Sequence, residues 1–181
     1  MLGRNLSIVL IAAVFAAVLA SSGVAAQAAN LQPGATAPNF TLPSQEDTPV
    51  SLSDYKGKWV VLYFYPKDMS PGCSVEAHNF QRDQARYDAA NAVVLGVSLD
   101  SVKSHETFCT KDSLSFKLLA DPDHKVTDAY GVPVMFTPIG KLAQRDTFLI
   151  SPDGKIVKFW KVKDIKAHSD EVLAAIAAEK K

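Results

Sequence analysis

Two cysteines, Cys73 and Cys109, are the only thiols in 181 residues, and the first stands where a sulfur can be made reactive. The stretch Pro66-Lys67-Asp68-Met69-Ser70-Pro71-Gly72-Cys73 sets a hydroxyl three residues before the sulfur, and its two prolines cannot serve a central β-ladder. Before it, Trp59-Val60-Val61-Leu62-Tyr63-Phe64-Tyr65 is a nearly continuous apolar run, the pattern of a short strand buried on both faces. After it, Cys73, Ala77, Phe80, Gln84 and Tyr87 recur at steps of three and four, which predicts one side of a helix. Cys73 then lies in the first helical turn, where unpaired backbone N–H groups and the positive end of the macrodipole favour a thiolate. The dipole contributes only ~1 kcal/mol. Hydrogen bonds and a nearby cation must add to it. Ser70 is one local donor, and an arginine from elsewhere in the chain is the natural second. The plainer reading is a small buried hydrophobe at a strand–helix junction. Against it stands the convergence of strand, turn hydroxyl and helix start on one sulfur.

The elements that must hold this stretch follow in order. Residues 30–58 are rich in Pro, Gly and Asp and read as an extended leading segment with a short hairpin. Ala92 to Ser98 is a second buried strand. Ser101 is an N-cap, opening a helix that carries His105, Phe108 and Cys109 to about Asp112. Phe116 to Ala120 is a third strand, and Lys125 to Tyr130 a short helix stopped by Gly131 and Pro133. Thr147 to Ser151 and Lys155 to Lys161 form a hairpin around Pro152-Asp153-Gly154. Glu171 to Glu179 closes the chain as an amphipathic helix with Val172, Leu173 and Ile176 inward. Strands joined by helices give α/β architecture with parallel strands in right-handed crossovers.

The length suits one domain. Lys plus Arg and Asp plus Glu both number 19, so no strong field recruits nucleic acid or an acidic surface. Arg4, the unbroken apolar run Ile8 to Ala20 and the small residues Ala26-Gln27-Ala28 form the layout of a secretory signal. Cleavage is expected after Ala28, which divides the chain into a signal, 1–28, and a domain, 29–181. The run is short for a spanning helix, which needs ~20 residues, although an uncleaved anchor is the other reading. No cysteine lies near the cleavage site to carry a lipid. The expected compartment is periplasmic, or an equivalent extracytoplasmic lumen, with no membrane association after cleavage. Asn39-Phe40-Thr41 matches a glycosylation sequon, a pattern cheap enough to arise by chance.

In an exported protein, paired cysteines most often form a structural disulfide. Geometry argues against one here. Cys73 is at a helix start, whereas Cys109 lies eight residues beyond Ser101, ~12 Å along its own helix. A disulfide needs Cα atoms ~5.5 Å apart.

Pro66, Ser70 and Cys73 match the Pro-x-x-x-Thr/Ser-x-x-Cys motif, and the segment Trp59 to Cys73 resembles the active-site segment of the peroxiredoxins. Ser51 to Asp68 is similar to the PrxQ subgroup, also called bacterioferritin-comigratory proteins. The likeness continues through Val93 to Ser98, Ser104-His105, Tyr130-Gly131-Val132 and Arg145 to Ile150. The resemblance implies a thioredoxin-like fold, with a central mixed sheet flanked by helices. It also implies a thiol-dependent peroxidase acting on hydrogen peroxide and organic hydroperoxides. Cys73 would be the nucleophile, becoming a sulfenic acid. The Ser70 hydroxyl and helix-start N–H groups would hold the peroxide oxygens, and Arg145 would stabilise the thiolate and polarise the peroxide. Pro66 would shield the sulfur from water, and Glu76 would orient the arginine or else be an ordinary first-turn acid. Many relatives in the subgroup carry a resolving cysteine five residues after the first, where this chain has His78. A second group places it on the next helix, where Cys109 falls. Joining it to Cys73 would require local unwinding. A one-cysteine route, with Cys109 a core residue, is the alternative. Serine at position 70 replaces the more frequent threonine, keeping the hydroxyl but losing the methyl that restricts χ1. A thioredoxin-like dithiol would be the reductant and the monomer the expected state.

No cofactor is expected. The four histidines, His78, His105, His124 and His168, lack metal-pair spacing, and no phosphate loop or nucleotide fingerprint is present. The lysines at 155, 158, 161, 163 and 166 read as a solvated face. Two other functions share the scaffold. A disulfide oxidoreductase would need Cys-x-x-Cys, and Cys73-Ser74-Val75-Glu76 lacks the second thiol. A non-enzymatic binding module, such as a holdase, would leave both cysteines structural.

Overall fold

The computed structural model describes residues 31–138 and 140–180; the expected signal segment, 1–28, lies outside them. A short hairpin, β1 (Thr41–Pro43) with β2 (Pro49–Ser51), leads into a 3-10 turn at Leu52–Tyr55. The central sheet is built from β3 (Trp59–Phe64), β4 (Ala92–Ser98), β5 (Lys117–Ala120), β8 (Asp146–Ile150) and β9 (Ile156–Lys161). Its order is β5-β4-β3-β8-β9, so β3 is central. The β3–β4 and β4–β5 pairs are parallel, while β3–β8 and β8–β9 are antiparallel.

The apolar run of β3 is continuous because both of its faces are covered. Trp59, Val61, Tyr63 and Tyr65 pack into one core, with residues of α1 (Pro71–Arg82), α3 (Val102–Asp112) and α5 (His168–Glu179). Val60, Leu62 and Phe64 pack into the other, with the leading segment and α4 (Lys125–Ala129). Tyr63 lies directly opposite Gly96 of β4, and Gly96 opposite Leu118 of β5. A Cβ at position 96 would fall 2.8 Å from the Tyr63 ring and 2.7 Å from Leu118, so the aromatic side chain uses space that only glycine leaves. Ser101 caps α3 by accepting from the Ser104 N–H at 3.3 Å.

Three features differ from the sequence expectation. The helix after Cys73 is not continuous. It breaks at Asp83, and α2 (Gln84–Ala89) follows. The buried Asp83 carboxylate accepts from Arg82 Nη2 (2.6 Å), Arg86 Nη1 (3.2 Å) and the Ser169 hydroxyl of α5 (2.7 Å), which rewards a bend that brings α2 to the closing helix. α5 itself begins at His168 rather than Glu171, because His168 and Ser169 are buried as well. A hairpin of β6 (Val134–Thr137) and β7 (Gly140–Ala143) also stands outside the main sheet, and its Phe136 is 79% exposed. Met135 and Phe136 are exposed while Ala143 is buried, so the hydrophobic period carries no signal for it. The lysines at 155, 158, 161, 163 and 166 are exposed.

Candidate active site

The β3 strand ends beneath a turn in which Pro66 is half-buried and Met69 adopts φ +56°. Ser70 is the N-cap of α1 and Pro71 its first residue, a position where a missing N–H costs nothing. Cys73 follows in the first turn, 1% exposed. The chain therefore delivers the sulfur to a helix start above the end of the central strand.

Sheet register supplies the cation. Asp146 of β8 pairs with Phe64, the last residue of β3, so Arg145 emerges beside the turn that carries Cys73. Its Nη2 donates to Cys73 Sγ at 3.2 Å, and its Nη1 donates to Glu76 Oε2. One planar guanidinium thus bridges sulfur and carboxylate, a two-pronged geometry that lysine cannot reproduce. A Cβ on Gly72 would lie 3.5 Å from Arg145 Nη2, an ordinary van der Waals contact, so the guanidinium lies directly against the first turn of α1. Asn79 Nδ2 donates to the Ile165 carbonyl at 3.0 Å, which fastens the segment after β9 against α1.

Glu76 is buried, and burial pushes its carboxyl up to about 7, against the opposing pull of Arg145. Its other oxygen, Oε1, finds no hydrogen-bond partner among the described residues, and neither does the buried Tyr63 hydroxyl. The Arg145 guanidinium is held charged: burial opposes its charge, but Glu76 and Cys73 outweigh that cost. The neighbouring His168 is driven down to about 4, first by burial and then by Arg145. It is neutral at pH 7, with Nε2 2.9 Å from the Thr147 hydroxyl.

The structure gathers Cys73, Glu76 and Arg145 into direct contact. Ser70 is placed differently from expectation. Its hydroxyl donates to the Lys67 carbonyl at 3.1 Å rather than to the sulfur, because the tight Lys67–Ser70 turn presents that carbonyl first. The oxygen lone pairs are the part left for a ligand to use. Cys109 stands apart, seven residues along α3, and both cysteines are free thiols that contribute to the same apolar core. Burial, followed by the Asp68 charge, pushes the Cys109 thiol up to about 12. Among the described residues, no group of three or more His, Cys, Asp or Glu is arranged to hold a metal ion. No described helix is long and apolar enough to cross a membrane.

Sequence spacing gives no hint of one further group beside the turn. The buried Asp68 and His105, 37 residues apart, meet with Nδ1 2.9 Å from Oδ2.

Comparison with known proteins places these features. The profile of the AhpC/TSA family matches residues 33–159. Peroxiredoxin Bcp of Bacillus subtilis (strain 168) is 41% identical over 146 residues, covering 79% of this chain and 93% of that protein. A structure of the bacterioferritin comigratory protein of Xanthomonas campestris, described as giving insight into its alkyl peroxide reduction activity, is 39% identical with a TM-score of 0.72. It covers 78% of this chain and 92% of that one. Two structures of peroxiredoxin Q from the same organism, each 40% identical, have TM-scores of 0.72 and 0.71; they cover 78% and 77% of this chain, and 92% and 91% of theirs. Each carries serine in place of one cysteine. The two replaced cysteines are 36 residues apart, the interval that separates Cys73 from Cys109.

Proposed function

The chain belongs to the AhpC/TSA family, as a peroxiredoxin of the Bcp/PrxQ kind with a thioredoxin-like fold, and from that premise we propose how its own residues carry the thiol-dependent peroxidase reaction. The observation that supports this most directly is the 3.2 Å contact between the Arg145 guanidinium and a buried sulfur at a helix start.

The Cys73 thiolate attacks one oxygen of a hydroperoxide. The S–O bond forms as the O–O bond breaks, and the departing alkoxide or hydroxide takes up a proton to leave as alcohol or water. Arg145 holds the sulfur as an anion and faces the charge that grows on the peroxide, while Glu76 fixes the plane of the guanidinium. Ser70, through its free lone pairs, accepts from the hydroperoxide O–H. Pro66 limits the access of water to the sulfur. Hydrogen peroxide and organic hydroperoxides are both substrates.

Cys109 resolves the sulfenic acid. Its sulfur bonds to Cys73 and water is released, and a thioredoxin-like dithiol then reduces the disulfide by exchange. In the closed fold Cys109 is a poor nucleophile, since burial holds its proton in place. Unwinding at α1, α3 or both would expose it and return it to ordinary thiol acidity.

Residues 1–28 are a cleaved export signal, and the domain works as a monomer in the periplasm or an equivalent lumen. The match of the family profile from residue 33 onward supports treating the preceding segment as an addition to the shared domain. N-terminal sequencing of the exported protein should give Ala29, and sedimentation should give one chain.

Stopped-flow peroxide consumption tests the chemistry: Cys73→Ser should abolish it, and equal rates in variant and wild type would overturn the assignment. Intact-mass analysis after one equivalent of peroxide should show Cys109→Ser accumulating the sulfenic or over-oxidised form. The wild type should instead lose two hydrogens.

A further inference from the structure

The active-site turn and the helix of the second cysteine are joined at one buried point. Asp68 belongs to the turn, two residues before Ser70, and its side chain is 1% exposed; His105 belongs to α3, and its side chain is 0% exposed. The His105 Nδ1 lies 2.9 and 3.1 Å from the two carboxylate oxygens. The Tyr65 hydroxyl donates to Asp68 Oδ1 at 2.7 Å, and Asp100 Oδ2 accepts from the Asp68 N–H at 2.9 Å. Burial opposes the charge of the Asp68 carboxyl, but His105 above all, with Ser104 and Tyr65, outweighs it and holds that carboxyl below its usual range. His105 Nε2 finds no partner among the described residues, so the ring is anchored through Nδ1.

Cys109 is one turn further along α3 than His105 and on the same face. Beyond that point α3 and the loop after it reach α1 through the exposed His78, 3.6 Å from Asp112, and the exposed Gln81–Ser115 pair. Exposed pairs of this sort contribute little, and the buried pair is the strong polar tie.

We propose that the Asp68–His105 pair is a latch that holds the Cys109 helix against the active-site turn and so sets how often the second thiol is released to meet Cys73. His105 is then a positioning residue for disulfide formation, with no part in the peroxide step. The inference rests on Cys109 being the resolving cysteine. It adds that one carboxylate of the active-site turn, through its bonds to the His105 ring, closes the helix that carries the second thiol.

The test separates the two chemical steps in single-turnover stopped flow. Peroxide attack is read as the concentration-dependent phase, and disulfide formation as the concentration-independent phase, checked by quenched intact mass. His105→Gln should speed the second phase by about tenfold or more, since a bond to a charged group is lost. It should leave the slope of the first within about twofold, and should also lower the fraction of Cys73 over-oxidised at high peroxide. Hydrogen exchange of Val102–Asp112 should quicken in the reduced variant.

General loss of stability is controlled with Val50→Ala, in the core on the opposite face of the sheet, which should leave the disulfide phase unchanged. Should His105→Gln not fold, Tyr65→Phe removes a single bond to Asp68 and should shift the same phase in the same direction. An unchanged disulfide phase in the His105 variant overturns the latch, as does equal acceleration in Val50→Ala. Absence of any intramolecular disulfide in the wild type would instead overturn the assignment of Cys109.

Discussion

Replacing Arg145 with lysine isolates what the fork of the guanidinium does. Its two nitrogens serve Glu76 and Cys73 at once, the sulfur at 3.2 Å. Lysine keeps the charge but can satisfy one partner only. Losing one charge-assisted hydrogen bond in a buried setting costs ~1.5–3 kcal/mol, which corresponds to roughly a tenfold to hundredfold lower second-order constant for peroxide. Arg145→Met goes further and removes the charge. At 3.2 Å and an effective dielectric of ~20, the interaction between full charges is of order 5 kcal/mol, so a loss of about a thousandfold or more is expected. This variant should still fold. Burial already pushes Glu76 up to about 7 with Arg145 present, and once the opposing pull of Arg145 is removed the carboxyl takes up a proton and is buried neutral. The assay is the initial fluorescence phase of Trp59 and Trp160 on mixing reduced protein with excess peroxide, its rate plotted against concentration. If Arg145→Lys gave a slope within about twofold of wild type, the two-pronged contact would not be what drives the attack.

Ser70→Ala should lower the same slope by up to about tenfold, the worth of one neutral hydrogen bond, and Ser70→Thr should restore it; an unchanged alanine variant would remove the hydroxyl from the reaction. Arg82 first, with Ser169 and Arg86, holds the Asp83 carboxyl down to about 2 against burial. Its stabilisation is therefore complete above the unfolded value of ~3.9 and is lost as pH falls from there toward the folded value. Asp83→Asn should cost ~2 kcal/mol at pH 7. In melting curves the gap from wild type should close below about pH 4, and a pH-independent gap would contradict the electrostatic origin. Gly96→Ala forces a methyl against Tyr63 and Leu118 and should cost ~1–3 kcal/mol, read as a lower urea midpoint at constant slope.

How much of this is legible beforehand depends on sequence range. The β3 strand, the turn and the start of α1 are local: apolar run, prolines and N-cap serine sit side by side, and Cys73 can be placed without a fold. The Ser101 cap and the β8–β9 hairpin are legible for the same reason. Arg145 is not. Nothing near it marks an active-site group; only the family resemblance named it, and its closeness to Cys73 follows from the register of β8 against β3. The Asp83 break is hidden likewise, since Asp83 and Ser169 are 86 residues apart and the apolar period runs on through α2. The β6–β7 hairpin escapes because exposed Met135 and Phe136 invert the usual pattern.

The bend at Asp83 also decides how far disturbance can travel. α1 is 12 residues long, and its far end is riveted to the closing helix by a carboxylate that α5 grips through Ser169. Fraying that starts at Pro71 meets a fixed stop there. The unwinding of α1 proposed for disulfide formation would thus be confined to the turns before Asp83, leaving Tyr87 bonded to Ser169 and α5 packed on the core.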